Sequence, residues 1–294
     1  MLVRVRQLLE MVRFSHTLFA LPFALLSAVL AWQKPGLFRW LDLLGILLCM
    51  VLARSAAMAF NRLVDRRYDA LNPRTASRHL PTGQLTGTSV WVFTFVCAAG
   101  FVASTAIFRA SGNPWPLYLS LPVLLFIGGY SFSKRFTFLC HAWLGTSLLL
   151  TPLAAWIAIR GLEDLATPFV LGLAVLFWVT GFDVLYACQD VEFDRQAKLF
   201  SIPAQFGVAL SLRLAFLCHL AMLACLVGLY WLAWPNLRTV YLTGVVGVAV
   251  LLIYEHWLVR PDDLSRVNQA FFHVNSVISL GLLLVVLLQL ALHV

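Results

Sequence analysis

Long apolar runs, broken at short intervals by basic and acidic loops, dominate the chain from residue 15 onward. A helix needs about 20 apolar residues to cross the hydrocarbon core of a bilayer. Runs of that order recur near 15–33, 38–60, 88–108, 115–133, 139–159, 167–188, 208–233, 238–258 and 270–292. The pattern predicts an all-α, polytopic membrane protein with nine transmembrane helices, residues 1–294 forming a single membrane domain. Pro116, Pro122 and Gly128-Gly129 interrupt the fourth span, and membrane helices tolerate such breaks where neighbours or a cavity satisfy the backbone.

Composition supports this reading. The chain is 61% hydrophobic and 12% charged, against roughly 25% charged for a soluble domain, and its mean hydropathy is +0.88. An ordinary soluble domain is excluded, and the lipid bilayer is the first partner. The six cysteines form no CxxC pair and lie mostly in apolar runs, so they read as small core residues rather than a disulfide framework or zinc site. A net charge of +8 would suit nucleic acid, but Lys and Arg gather at the ends of apolar runs, as topology signals do. Counted on alternate sides, with Arg54 set aside inside a span, they divide fifteen to five, which places the N-terminus in the cytoplasm and the C-terminus outside. Arg4, Arg6 and Arg13 before the first run resemble a signal peptide. The many spans that follow favour an uncleaved first helix.

The chemistry concentrates in two acidic clusters on the cytoplasmic side of that topology. Only 13 acidic residues occur, and six of them lie in Asn61–Asp69 and Asp183–Asp194. Ionisable residues beside membrane spans are costly and usually functional. At about 100° per residue, Asn61, Asp65 and Asp69 form one stripe, and Asp183, Tyr186, Asp190 and Asp194 another, while Glu192 falls on the opposite face. Each stripe presents oxygen donors in one direction, as Mg²⁺ requires, and Mg²⁺ binds through one or two carboxylates plus substrate phosphates. Two stripes suit two ions on one diphosphate. The bland reading, solvated helix ends paired with Arg66, Arg67 and Arg195, sits poorly with the duplication.

Both clusters follow a span and lead through a loop containing Pro and Gly, Pro81-Thr82-Gly83 in one and Pro203 to Gly207 in the other. This weak repeat predicts two four-helix halves plus a ninth helix around a central, lipid-open cavity. Arg54 lies seven residues before Asn61, hence on nearly the same face and about 10 Å deeper. It would take a substrate carboxylate or a diphosphate oxygen, or close an internal ion pair. Lys134 and Arg135, after Tyr130, suit either a departing diphosphate or plain positive-inside anchoring, and Arg74 and Arg78 share that ambiguity. His141, His256 and His273 have no partner at i, i+4 and read as isolated. Glu255 sits near a helix end, and interhelical hydrogen bonding is the expectation for Asn275.

At these residues the chain resembles the UbiA superfamily of intramembrane aromatic prenyltransferases. Its first motif appears as Asn61…Asp65…Asp69 with Arg74-Thr75…Arg78, its second as Asp183…Tyr186-Ala187…Asp190…Asp194. Tyr130…Lys134-Arg135 and Ser201-Ile202-Pro203 also fit. Arg62 and His79 depart from it, standing where Asp and Pro are frequent, and Lys198 stands where small residues are common. The resemblance implies an enzyme of the bacterial inner membrane that transfers a polyprenyl group from a polyprenyl diphosphate to an aromatic carboxylic acid. It implies two Mg²⁺ ions held by Asn61, Asp65, Asp69, Asp183, Asp190 and Asp194, with Lys134 and Arg135 on the diphosphate and Tyr186 supporting the site. Arg54, Asn61, Arg74, Arg78 and Tyr130 complete the implied substrate-binding set.

The expected acceptor is 4-hydroxybenzoate, in ubiquinone biosynthesis. The stretches Met58–Arg62 and Arg78–Pro81 look like a bacterial 4-hydroxybenzoate polyprenyltransferase-like branch, some of whose members are linked to 1,4-dihydroxy-6-naphthoate in the futalosine route to menaquinone. A cation-coupled transporter would instead put its carboxylates near the midplane between inverted repeats, and a noncatalytic lipid-binding scaffold would not need duplicated stripes.

Overall fold

A computed structural model describes residues 2–12 and 19–292, with side chains from residue 6 onward. The helices are α1 (Leu2–Met11), α2 (Leu21–Ala31), α3 (Trp40–Val64), α4 (Arg66–Leu71), α5 (Gly87–Thr105), α6 (Trp115–Ser133) and α7 (Cys140–Arg160). They continue with α8 (Ala166–Ala187), α9 (Val191–Gln196), α10 (Ile202–Phe206), α11 (Val208–Leu232), α12 (Thr239–Leu258), α13 (Val267–Gln269) and α14 (Asn275–Leu292). Among the described residues, eight helical segments are long and apolar enough to cross a membrane. They match the second to ninth predicted spans within a few residues, except that the sixth continues past 188 to Gln196. The first predicted span, 15–33, lies partly outside the described residues, and its described part is the eleven-residue α2.

The helices group into two compact units, α1 with α3 to α6, and α2 with α7 to α14. This differs from the expected four-plus-four-plus-one division. The physical reason lies in α2, which has no polar face to present elsewhere. Phe23, Ala24, Leu26, Ser27, Ala28, Leu30 and Ala31 are all buried, so the helix becomes part of a core. Ser27 Oγ donates to the Pro152 carbonyl at 2.6 Å, tying α2 to α7.

In the first unit α3 packs on α5, and Met11, Ala59, Leu80, Leu85 and Val90 form a small core beside the loop that follows the first acidic cluster. In the second, α8 lies between α7 and α11. Close approach there depends on small residues. A Cβ at Gly145 would sit 2.6 Å from the Leu176 carbonyl and strike the Thr180 hydroxyl, so α7 and α8 meet at backbone distance. Buried Trp178 donates to Asn275 Oδ1 at 2.6 Å, and Asn275 donates to Glu255 Oε1 at 2.8 Å. Asn275 is thus the interhelical bridge its sequence context suggested. His256 is not isolated: its Nε2 lies 2.9 Å from His219 Nδ1. Leu125, Trp231 and Ile253 are among the large apolar residues left exposed, as surfaces solvated by lipid chains are.

Candidate active site

The first carboxylate set stands where α3 ends. Asp65 leaves helical geometry, with ψ near 3°, yet the backbone ladder continues from Asp65 N to Asn61 O (2.9 Å) and from Asp69 N to Asp65 O (2.8 Å). The i, i+4, i+8 spacing therefore survives a break between α3 and α4. Asn61 Nδ2 donates to Asp65 Oδ2 at 2.8 Å, which orients that carboxylate. Arg78 Nη1 donates to Asp69 Oδ1 at 2.6 Å, and Thr75 Oγ1 donates to the Asp69 carbonyl at 3.0 Å. The Arg-Thr-x-x-Arg stretch thus folds back on the carboxylate it follows.

Arg62, which the sequence presented only as a missing carboxylate, stands within the first carboxylate set. It is buried, donates to Asn61 Oδ1 at 3.3 Å and stands 3.8 Å from Asp69 Oδ2. That oxygen is buried and receives no hydrogen bond from the described residues. Arg54 lies deeper in α3, and its buried Nε has no hydrogen-bond partner among the described residues. Tyr130 is half-buried near the end of α6, whereas Arg74 is exposed.

The second set forms where α8 tightens into a 3₁₀ turn, Cys188–Asp190, before α9. Asp190 and Asp194 are buried, Asp183 is half-buried and Glu192 is exposed, as the periodicity predicts. The stripe again spans a break rather than one continuous helix. Lys134 Nζ donates to Asp194 Oδ2 at 3.3 Å, and Ser201 Oγ donates to the same oxygen at 2.8 Å. Phe200 N donates to the Lys134 carbonyl at 2.7 Å, holding the 197–201 loop against the segment that carries the lysine. Burial alone would push the Lys134 ammonium down, but Asp194, with Cys140, Asp190 and Asp183, outweighs it and keeps the pKa above the usual 10.5. Arg135 is half-buried beside it. The Tyr186 ring lies 4.3 Å from that of Phe271. Arg195 donates to the Ala204 carbonyl at 3.0 Å and so helps hold α10 in place.

His141, read from sequence as isolated, is the second residue that sequence missed. It is fully buried, and its Nδ1 lies 2.7 Å from Asp183 Oδ2. The partner is 42 residues away, on α8, so no local spacing could announce it.

Every side-chain donor to a cation in these two sets is an oxygen, the chemistry of a hard divalent ion. The buried, undonated Asp69 Oδ2 fits the same role. Among the described residues no three His, Cys, Asp or Glu side chains form a preassembled metal cage. Mg²⁺ does not need one, since it retains waters and takes substrate phosphates as ligands.

The UbiA prenyltransferase family model matches residues 20–277, taking in both carboxylate sets and the lysine between them. The chain belongs to the UbiA prenyltransferase family. Its relatives include the 4-hydroxybenzoate octaprenyltransferase of Tolumonas auensis, 32% identical over 224 residues, 76% of each chain. That of Vibrio parahaemolyticus is 30% identical over 281 residues, covering 94% of this chain and 95% of the relative. The apo structure of a UbiA homologue from Aeropyrum pernix K1 superposes with a TM-score of 0.82 at 29% identity, over 93% of this chain and 97% of that one. A UbiA homologue from Archaeoglobus fulgidus, solved with DMAPP and Mg²⁺, shares the fold with a TM-score of 0.71 at 18% identity, over 97% of this chain and 99% of that one. This UbiA-family chain is a multi-pass membrane protein and a prenyltransferase.

Proposed function

We propose that the chain catalyses Mg²⁺-dependent transfer of a polyprenyl group from a polyprenyl diphosphate to an aromatic carboxylic acid, 4-hydroxybenzoate, in ubiquinone biosynthesis. The observation that carries this reading is the set at the end of α8: Asp183, Asp190 and Asp194 beside Lys134, which bonds Asp194. Three neighbouring carboxylates offer oxygen donors to a cation, and a hard divalent cation suits a diphosphate. The acceptor follows from relatives named for 4-hydroxybenzoate that align over up to 94% of the chain. The shared fold is one that takes DMAPP and Mg²⁺ in the Archaeoglobus fulgidus homologue.

Asn61, Asp65, Asp69, Asp183, Asp190 and Asp194 would hold two Mg²⁺ ions, which when bound supply positive charge against the leaving diphosphate. Lys134 and Arg135 add cationic N–H donors for diphosphate oxygens, placed before charge develops there. The bond between the allylic carbon and the diphosphate oxygen breaks and releases diphosphate, a ring carbon ortho to the acceptor hydroxyl bonds to the allylic carbon, and the ring proton passes to the released diphosphate or to water. Arg54, whose buried Nε has no hydrogen-bond partner among the described residues, would take the acceptor carboxylate. Arg74, Arg78 and Tyr130 would complete the substrate contacts, and Tyr186, braced by Phe271, the site wall. The fifteen-to-five division of basic residues supports cytoplasmic motifs in a bacterial inner membrane.

The likeness of Met58–Arg62 and Arg78–Pro81 to a branch with some naphthoate-linked members carries a second reading, in which 1,4-dihydroxy-6-naphthoate is the acceptor. Purified protein supplied with Mg²⁺, a polyprenyl diphosphate and both acids tests the two together. Prenylated benzoate as the main product supports the first reading, and prenylated naphthoate alone replaces it with the second.

A further inference from the structure

His141 is the second residue of α7 and none of it reaches the surface. Its two ring nitrogens face different partners. Nδ1 lies 2.7 Å from Asp183 Oδ2, and Nε2 lies 3.4 Å from the backbone N–H of Ile202. A backbone N–H aimed at Nε2 needs a lone pair there, so the ring proton sits on Nδ1 and is donated to Asp183. The imidazole is therefore a strut between a carboxylate on α8 and the first turn of α10. The residue before Ile202 does the matching task for the other end of the cluster: Ser201 Oγ donates to Asp194 Oδ2 at 2.8 Å while accepting from Ala204 N at 3.3 Å. One turn thus ties down both Asp183 and Asp194. Space around the strut is closed as well. Thr180 Oγ1 reaches the His141 carbonyl at 3.5 Å, and Gly145, one turn along α7, leaves no room between α7 and α8.

We infer that His141 is a positioning residue, which fixes the rotamer of Asp183 by holding Oδ2 so that Oδ1 is presented to a divalent cation. This rests on the proposed reading of Asp183 as a metal ligand. The arrangement applies a general rule of metal sites, that a hydrogen-bonded outer partner orients the ligand and that its loss typically costs ten- to a hundredfold in affinity. In metal-bound histidines the carboxylate usually stands behind the imidazole; here the imidazole stands behind the carboxylate.

The test is a Mn²⁺ titration of detergent-purified full-length protein with a non-hydrolysable prenyl thiolodiphosphate, following free Mn²⁺ by electron paramagnetic resonance. Asp183→Asn and His141→Leu should each weaken Mn²⁺ binding by about ten- to a hundredfold. His141→Gln, whose amide can still donate to Asp183, should stay within about threefold of wild type, whereas the shorter His141→Asn should behave like the leucine variant. Adding His141→Leu to Asp183→Asn should cost nothing further, because the histidine acts only through that carboxylate. Metal-free melting temperatures measured alongside separate a folding defect from a binding defect. If the leucine variant does not fold, the glutamine and asparagine pair carries the comparison. Wild-type Mn²⁺ affinity in folded His141→Leu or His141→Asn, or a full additional loss in the double variant, overturns the inference. Unchanged affinity in Asp183→Asn alone overturns the metal-ligand reading of Asp183, and the positioning role with it.

Discussion

In the proposed reading, Asp65 and Asp190 each supply one carboxylate to the metal site. Asp65 is oriented by Asn61, and Asp190 is buried beside Asp194 and Lys134. Replacing either aspartate with alanine should lower turnover by at least about a hundredfold, the scale of losing one strong electrostatic contributor; near-wild-type rates in either variant would remove it from the metal site. Arg54→Leu should raise KM for the aromatic acid by about tenfold or more, as loss of a charge-assisted hydrogen bond does, with little change in KM for the prenyl diphosphate. The opposite split would assign the guanidinium to the diphosphate. Lys134 gives a pH prediction with a definite sign. Its pKa in the folded protein is raised, so its stabilising contribution is complete below the usual lysine value and fades only as pH climbs through the raised one. The difference in melting temperature between wild type and Lys134→Met should therefore stay flat from about pH 6 to about pH 9; a difference that shrinks across that range would show the lysine discharging. The periodicity of Asn61, Asp65 and Asp69 made those residues legible, because i, i+4 neighbours need no tertiary knowledge. Arg62 and His141 were not legible as site residues. The first substitutes charge within its own motif, and the second meets its partner across 42 residues.

The two carboxylate sets stand at two helix ends, and each end is broken. α3 stops at Val64 and restarts as α4, and α8 passes through Cys188–Asp190 before α9. Such tightening is common at helix ends, and here it turns the carboxylates without losing their common face. The packing of α7 on α8 fixes where the second end lies. Gly145→Val should destabilise the protein by about 1–3 kcal/mol, the usual cost of overpacking a close contact, because the added Cβ meets the rigid Leu176 carbonyl. Thermal unfolding in detergent measures this, and an unchanged midpoint would mean that α7 and α8 can separate freely. Hydropathy located these helices within a few residues because an 18-residue apolar window is a property of one segment alone. It could not show that α2 packs with α7, nor that Ala270–Val274 adopts a π-helical turn beside Asn275. Both depend on neighbours that only the folded chain supplies.

Over the whole molecule, an apolar polytopic chain carries two duplicated acidic sets, and the family match extends from residue 20 to residue 277. Function class was legible in the sequence because lipid solvation and carboxylate spacing are both local signals. The acceptor was not, since it depends on which side chains surround the ring, and the relatives named for 4-hydroxybenzoate supply the preference. An apolar donor tail and a charged leaving group make opposite demands. In the proposed reading, exposed apolar helix faces would meet the first, and Mg²⁺ on the oxygen donors, with Lys134, would meet the second. The decisive measurement is product formation by purified protein in lipid nanodiscs, given a polyprenyl diphosphate, Mg²⁺ and an acceptor panel of 4-hydroxybenzoate and 1,4-dihydroxy-6-naphthoate. Prenylated 4-hydroxybenzoate should accumulate with release of diphosphate and stop when EDTA removes the metal. No prenylated product with any acceptor, from protein that instead carries labelled cations across proteoliposomes, would contradict the prenyl-transfer function outright.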